Sequence, residues 1–244
     1  MGETMKMCRR LYTTIQSYCL VLLAGIALTG LLSPSAMAVE LDFNISAPTS
    51  GTISYDGSGG GLIGTNIEVD NVVGLSTPAN GGVTSTCLSC VLNFTSGSLN
   101  GSGGPNPNNN GWWRFGSGGS ITITGGVQLQ GSTDIALGST LLSGTFSSAF
   151  VQDLGSSFKV TFGSFTDTKH ADLLAYYGLT PSPFEGALTL LFGSSNTGVG
   201  EAFASTSVFS GSVVNTPVPL PAAAWLFGSG LVGLMPAMRR QFVG

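Results

Sequence analysis

Between residues 39 and 216 the apolar residues come in short runs of alternating or continuous character, each closed by Gly, Asn or Ser. That punctuation constrains the fold more than any other feature. Strands are predicted at 41–46, 52–55, 67–73, 91–95, 120–124, 127–130, 141–146, 158–165, 187–192 and 203–214, runs rich in the Val, Ile, Phe and Thr that half-buried pleated surfaces favour. One stretch, 169–177, has helical spacing, with Thr168 as its cap, Ala171, Leu174, Ala175 and Tyr177 as its apolar face and Gly178 as its stop. Many short strands and one short helix predict an all-β domain, an antiparallel β-sandwich or jelly roll packed as two sheets. Its length suits a single domain.

Two glycine-rich tracts interrupt the strands. The first, 56–64 (DGSGGGLIG), lacks the Lys-Ser/Thr pair of a phosphate loop and the spacing of a calcium repeat, and reads as a hairpin loop. The second, 97–111 (GSLNGSGGPNPNNNG), reads as an exposed loop, because its backbone would lack partners if buried.

Charge excludes one class of partner. Only 8% of the whole chain is charged, and residues 39–216 carry eleven acids against Arg114, Lys159 and Lys169, a net of −8 with His170 neutral. Three scattered cations cannot neutralise a phosphate backbone, so nucleic-acid binding is excluded. Hydroxyls, amides and glycine backbone must solvate the surface instead, a composition that a polysaccharide can hydrogen-bond.

Cys87 and Cys90 form the one cysteine pair of this stretch. A zinc site needs a second pair or nearby histidines, and His170 is distant in sequence; redox chemistry of the thioredoxin type needs the pair at a helix N-terminus, whereas 91–94 reads as strand. A small structural disulfide formed after export is expected. No cofactor or metal is expected. His170 has Asp167 and Asp172 near it, but no G-x-S-x-G elbow accompanies them, and a surface or capping role is the expectation. Glycoside hydrolysis would need two acids converging in a cleft, which the eleven scattered acids allow without favouring.

Trp112-Trp113-Arg114-Phe115 follows directly on the second glycine tract. Adjacent strand residues face opposite ways, so one tryptophan is expected in the core while the other faces solvent. An exposed indole can lie against the apolar face of a sugar ring and Arg114 can add hydrogen bonds, which makes Trp112, Trp113 and Arg114 the candidate carbohydrate contacts.

The chain ends carry processing signals. Lys6, Arg9 and Arg10 precede an apolar run over 20–32, and Ala36-Met37-Ala38 fits a signal peptidase, so residues 1–38 read as a signal peptide and Val39 as the mature start. At the other end, 217–244, Val218, Pro219, Leu220 and Pro221 break the chain before an apolar run over 222–238 closed by Arg239 and Arg240. Such a run, roughly 17 to 20 residues at about 1.5 Å each, only just spans a hydrocarbon core of roughly 30 Å as a transmembrane helix. The alternative is an ordinary membrane anchor.

The whole ending, with Trp225, Gly228 and Gly230 in the WLFGSGL segment, resembles the PEP-CTERM sorting signal in its VPLPA variant, with Leu220 where the commonest version has Glu. The resemblance implies an exosortase-type membrane protease as partner, a transient inner-membrane precursor, and delivery to the cell surface or extracellular polysaccharide of a Gram-negative bacterium. It says nothing of the cargo. Two classes stay open for that cargo: a non-enzymatic surface or matrix protein, favoured because no catalytic constellation is visible, and a secreted hydrolase or carbohydrate-processing enzyme with the same tail.

Overall fold

A computed structural model describes residues 38–104, 111–162, 165–194 and 198–218. Ala36, Pro219, Leu220, Pro221, Trp225, Gly228, Gly230, Arg239 and Arg240 lie outside the described residues, as do the predicted signal peptide apart from Ala38 and the predicted transmembrane run. No helix among the described residues is long and apolar enough to cross a membrane.

The described chain is all-β with one short helix. In order its elements are β1 (Glu40–Ile45), β2 (Thr52–Tyr55), β3 (Gly61–Leu75), β4 (Thr84–Gly103), β5 (Trp112–Phe115), β6 (Gly119–Gln128), β7 (Ile135–Phe146), β8 (Ala149–Asp153), β9 (Phe158–Phe162), β10 (Phe165–Lys169), α1 (Ala171–Tyr177), β11 (Phe184–Ser194) and β12 (Phe203–Pro217). The strands expected to pack as two sheets are joined in one hydrogen-bonded sheet of twelve, antiparallel throughout.

Four long strands explain the joining, because each changes partner along its length. β3 bonds β1 near its end and β2 near its start; β4 bonds β6 through Ser96 and β5 from Leu99 onward. β11 bonds β10 first and β9 later, and β12 bonds β2 and then β1. Following the pairings gives two closed circuits that share these four strands. One runs β3-β4-β6-β7-β10-β11-β12-β1, the other β3-β4-β5-β8-β9-β11-β12-β2. Closure pairs both edges of these strands and removes the exposed backbone that would template aggregation.

The first circuit lies where the chain enters and leaves: Leu41 on β1 pairs with Asn215 on β12. The second lies at the far end. β4 starts beside Val73 in the first circuit and runs its twenty residues until Gly103 meets Trp112, on the order of 60 Å of strand contour at about 3.3 Å per residue.

Several sequence expectations need correction. The second glycine tract is not all loop: its residues 97–103 are the end of β4, where pairing with β3 and β5 satisfies the backbone that the sequence left unaccounted for. Likewise Gly61 to Gly64 of the first tract open β3, and only the turn before them is a loop, held by Asp56, whose Oδ1 accepts from Ser58 N at 2.9 Å. β8 was not expected. The predicted strands at 120–124 and 127–130 are one strand, β6, and the run at 158–165 belongs to both β9 and β10.

The helix is shorter than predicted. Lys169 and Thr168 belong to β10, and His170 is the cap, its Nδ1 accepting from Asp172 N at 3.3 Å. Gly178 ends it in the left-handed region at φ 70°, as the sequence suggested. Its buried face is Leu173, Leu174, Tyr176 and Tyr177, with Ala171 and Ala175 exposed. The Tyr177 hydroxyl reaches Val72 O and Val83 O, each at 3.1 Å, and its ring lies on Gly74, where a Cβ would come within 2.4 Å of Cδ1. That close approach fixes α1 against β3 and β4.

Candidate functional site

Alternation along β5 separates the two tryptophans. Trp113 is fully buried, its ring 5.2 Å from that of Phe203 and 5.4 Å from that of Phe158, and its Nε1 has no hydrogen-bond partner among the described residues. It is a core residue, and the structure removes it from the candidate contacts. Trp112 and Arg114 point the other way; Trp112 is half-buried and Arg114 exposed.

Trp112 has a built seat. Its indole stacks on Phe150 of β8 at 6.1 Å and 22°, and the Arg114 guanidinium carbon lies 5.9 Å from the indole centre. Beneath it is Gly103, where a Cβ would come within 2.6 Å of the ring. The end of the glycine tract is therefore the bed on which the indole lies, which is why side chains are missing there.

Strand register extends this face. Trp112 pairs with Gln152 and Gln152 with Lys159; Arg114 pairs with Phe150 and Phe150 with Thr161. All six side chains share the outer face of β5, β8 and β9. Sequence reading missed Phe150, Gln152, Lys159 and Thr161. Alternation in AFVQD was the available signal for β8, but nothing local says that β8 lies between β5 and β9.

The cysteines are brought together by a bulge. Opposite β6, the shift between Leu88 and Val91 sets Ser89 and Cys90 against Gly125 alone, and Ser89 sits at φ 50°. One extra residue reverses the alternation, so Cys87 turns towards the same interior as Cys90, Leu92 and Phe94. Gly125 must lack a side chain here, since a Cβ would meet Cys90 Sγ at 2.7 Å. Both thiols are free in the structure. Cys90 donates to Gly126 O at 3.1 Å, and Cys87 donates to Cys90, which with burial pushes the Cys87 thiol up and holds that of Cys90 down.

The acids near His170 do not converge on it. Asp167 is buried on β10 against Lys169, whereas His170 Nδ1 lies 3.9 Å from Asp172, which is mostly exposed. Asp42 on β1 has its pKa raised to about 6 by burial and by neighbouring Glu40. A cleft of about 300 Å³ is lined by Thr84, Thr86, Gln128, Leu129, Gln130 and Asp134, and Asp134 Oδ1 is occupied by Leu129 N at 2.9 Å. Among the described residues no three potential metal ligands gather.

Compared with known proteins, the chain matches no family model, no curated protein and no solved structure.

Proposed function

We propose that this is a non-enzymatic surface or matrix protein, exported and then sorted by an exosortase-type protease to the cell surface or exopolysaccharide of a Gram-negative bacterium. Signal peptidase cuts between Ala38 and Val39, a carboxy-terminal helix parks the precursor in the inner membrane, and processing follows at the motif that begins with Val218. The β-domain, folded as a sandwich-like closed sheet, is the delivered cargo. Its role there is adhesion or scaffolding through carbohydrate contact at Trp112 and Arg114.

The observation that carries this reading is the placement of the ends. Val39 leads into β1 and Val218 follows β12, strands that pair directly, so the two segments read above as processing signals join the β-domain at one end. Trp112 lies at the other end of β4. A domain tethered by its tail would hold the aromatic face away from the membrane until release.

Tagging the full-length protein once within the β-domain and once at the carboxy terminus, then comparing inner membrane, periplasm and extracellular fractions, tests it. The domain tag should reach the outside while the tail tag stays with the inner membrane. Intact tail on most of the extracellular protein would overturn the sorting reading.

A further inference from the structure

We infer that the glycan bound on the β5-β8-β9 face is a polyanion, a polysaccharide carrying carboxylates such as uronic acids, with Arg114 and Lys159 as its charge contacts. The inference rests on the carbohydrate reading of Trp112 and adds the chemical class of the ligand.

Three observations support the choice. Among the described residues the cations are Arg114, Lys159 and Lys169, and Lys169 is buried against Asp167 with its ammonium 4.5 Å from the centre of the Phe184 ring. The two exposed cations of an acidic domain therefore stand on one face, two strands apart, and neither forms an ion pair with a described carboxylate. No acid shares their rungs: one reads Trp112, Gln152, Lys159 and the other Arg114, Phe150, Thr161.

Spacing gives the arrangement a direction. Neighbouring strands lie about 4.8 Å apart, so Trp112 and Lys159 are separated by roughly 10 Å across the sheet. A pyranose stacked on the indole would bring its neighbour over Gln152 and place the next carboxylate near the Lys159 ammonium, while Arg114 serves the stacked residue itself. The net charge of −8 over residues 39–216 repels a polyanion elsewhere. Charge thus sets where the polymer lands, and the aromatic pair holds it.

The test is affinity electrophoresis of the full-length protein in nonionic detergent through gels containing polygalacturonate, alginate, fully methyl-esterified pectin or dextran. Retardation is expected with the two acidic polymers and should weaken on the order of tenfold as salt rises from low to high ionic strength. Arg114→Gln and Lys159→Gln should each reduce acidic-polymer affinity by about two- to fivefold, as expected for exposed charges, and Lys159→Glu by more. Trp112→Ala should abolish retardation, with circular dichroism confirming that every variant keeps its strands.

Equal retardation by esterified and acidic polymers, unchanged in Arg114→Gln and Lys159→Gln but lost in Trp112→Ala, would overturn the anionic assignment and leave the carbohydrate platform standing. Retardation that survives in Trp112→Ala would overturn the platform itself. No retardation by either acidic polymer would also reject the assignment.

Discussion

The two ends of the closed sheet have different interiors. At the far end Tyr55, Phe115, Trp113, Phe158, Phe192 and Phe203 pack ring against ring with centroids 5.2 to 6.0 Å apart. At the entry end the interior holds an ion pair, Asp167 with Lys169, the Asn215 amide and the Tyr177 hydroxyl beside Ser85. Dispersion between rings makes the far interior stiff, whereas the entry interior buries polar groups that are only partly satisfied: among the described residues Asp167 Oδ2 and Asn215 Oδ1 have no hydrogen-bond partner. The outer aromatic face is built on the stiff end, as a binding face should be.

The largest expected effect tests that stiffness. Trp113→Ala removes an indole from the middle of the ring cluster and should destabilise the fold by about 3 to 5 kcal/mol, read from the urea midpoint of full-length protein followed by circular dichroism. Trp112→Ala, one residue away on the outer face, should cost no more than about 1 kcal/mol, the worth of its stacking. Equal losses would mean that the outer stack is part of the core, and the contrast between the two faces would collapse.

Next comes the buried pair. Burial lowers the pKa of Lys169 to about 8 against the attraction of Asp167, and burial likewise raises that of Asp167 against the attraction of Lys169. Desolvation wins for both, so the pair is a net cost that the rest of the core offsets. Lys169→Met alone should destabilise by about 3 kcal/mol, because it strands a buried carboxylate, while Asp167→Leu with Lys169→Met should restore or exceed the original stability. The sign with pH follows from the lysine. Unfolded, it keeps its proton to about 10.5; folded, it releases it near 8. Lys169 therefore contributes stability that rises with pH between those values, opposed from about pH 9 upward by the Cys87 thiol and the Tyr177 hydroxyl, both pushed up in the fold, and the double variant should lose that rising contribution. A double variant that unfolds as easily as Lys169→Met would show the pair to be a stabiliser.

How much of this was legible differs between the ends for a physical reason. Period-two alternation marked β1, β2 and the centre of β4, because one face of each meets the core. It missed the length of β4, whose Ser-, Asn- and Gly-rich last third is held by backbone pairing and by the Trp112 indole lying on Gly103, neither of which leaves an apolar period. The helix stop at Gly178 was legible because a left-handed cap needs a glycine, but its start was misjudged, since Thr168 can cap and only the pairing of β10 with β7 claims it for a strand. Within the candidate face, Trp112 and Arg114 were visible as neighbours in sequence. Phe150, Gln152 and Lys159 were not, because the circuit brings β8 between β5 and β9 across a separation that no local pattern encodes.

The smallest expected effect concerns Cys87 and Cys90, on the part of β4 that faces the entry end. Regular strand geometry would turn residues three apart to opposite faces, and the bulge at Ser89 cancels that, so both thiols face the same interior in their reduced form. Export into an oxidising compartment should join them with loss of two hydrogens. The closed loop is so short that the constraint on the unfolded chain is worth at most about 2 kcal/mol. Exported protein should accept no thiol label until reduced, and reduction should lower the urea midpoint by less than Trp113→Ala does. Replacing both with Ser should leave the far end and any polysaccharide retardation unchanged, because Trp112 and Phe150 rest on β4 beyond Leu99 and on β8. Two labelled thiols in unreduced exported protein would show that the bulge serves packing alone. A lost retardation in the double Ser variant would show that the two ends are mechanically coupled, and the separation between a stiff binding end and a polar entry end would have to be abandoned.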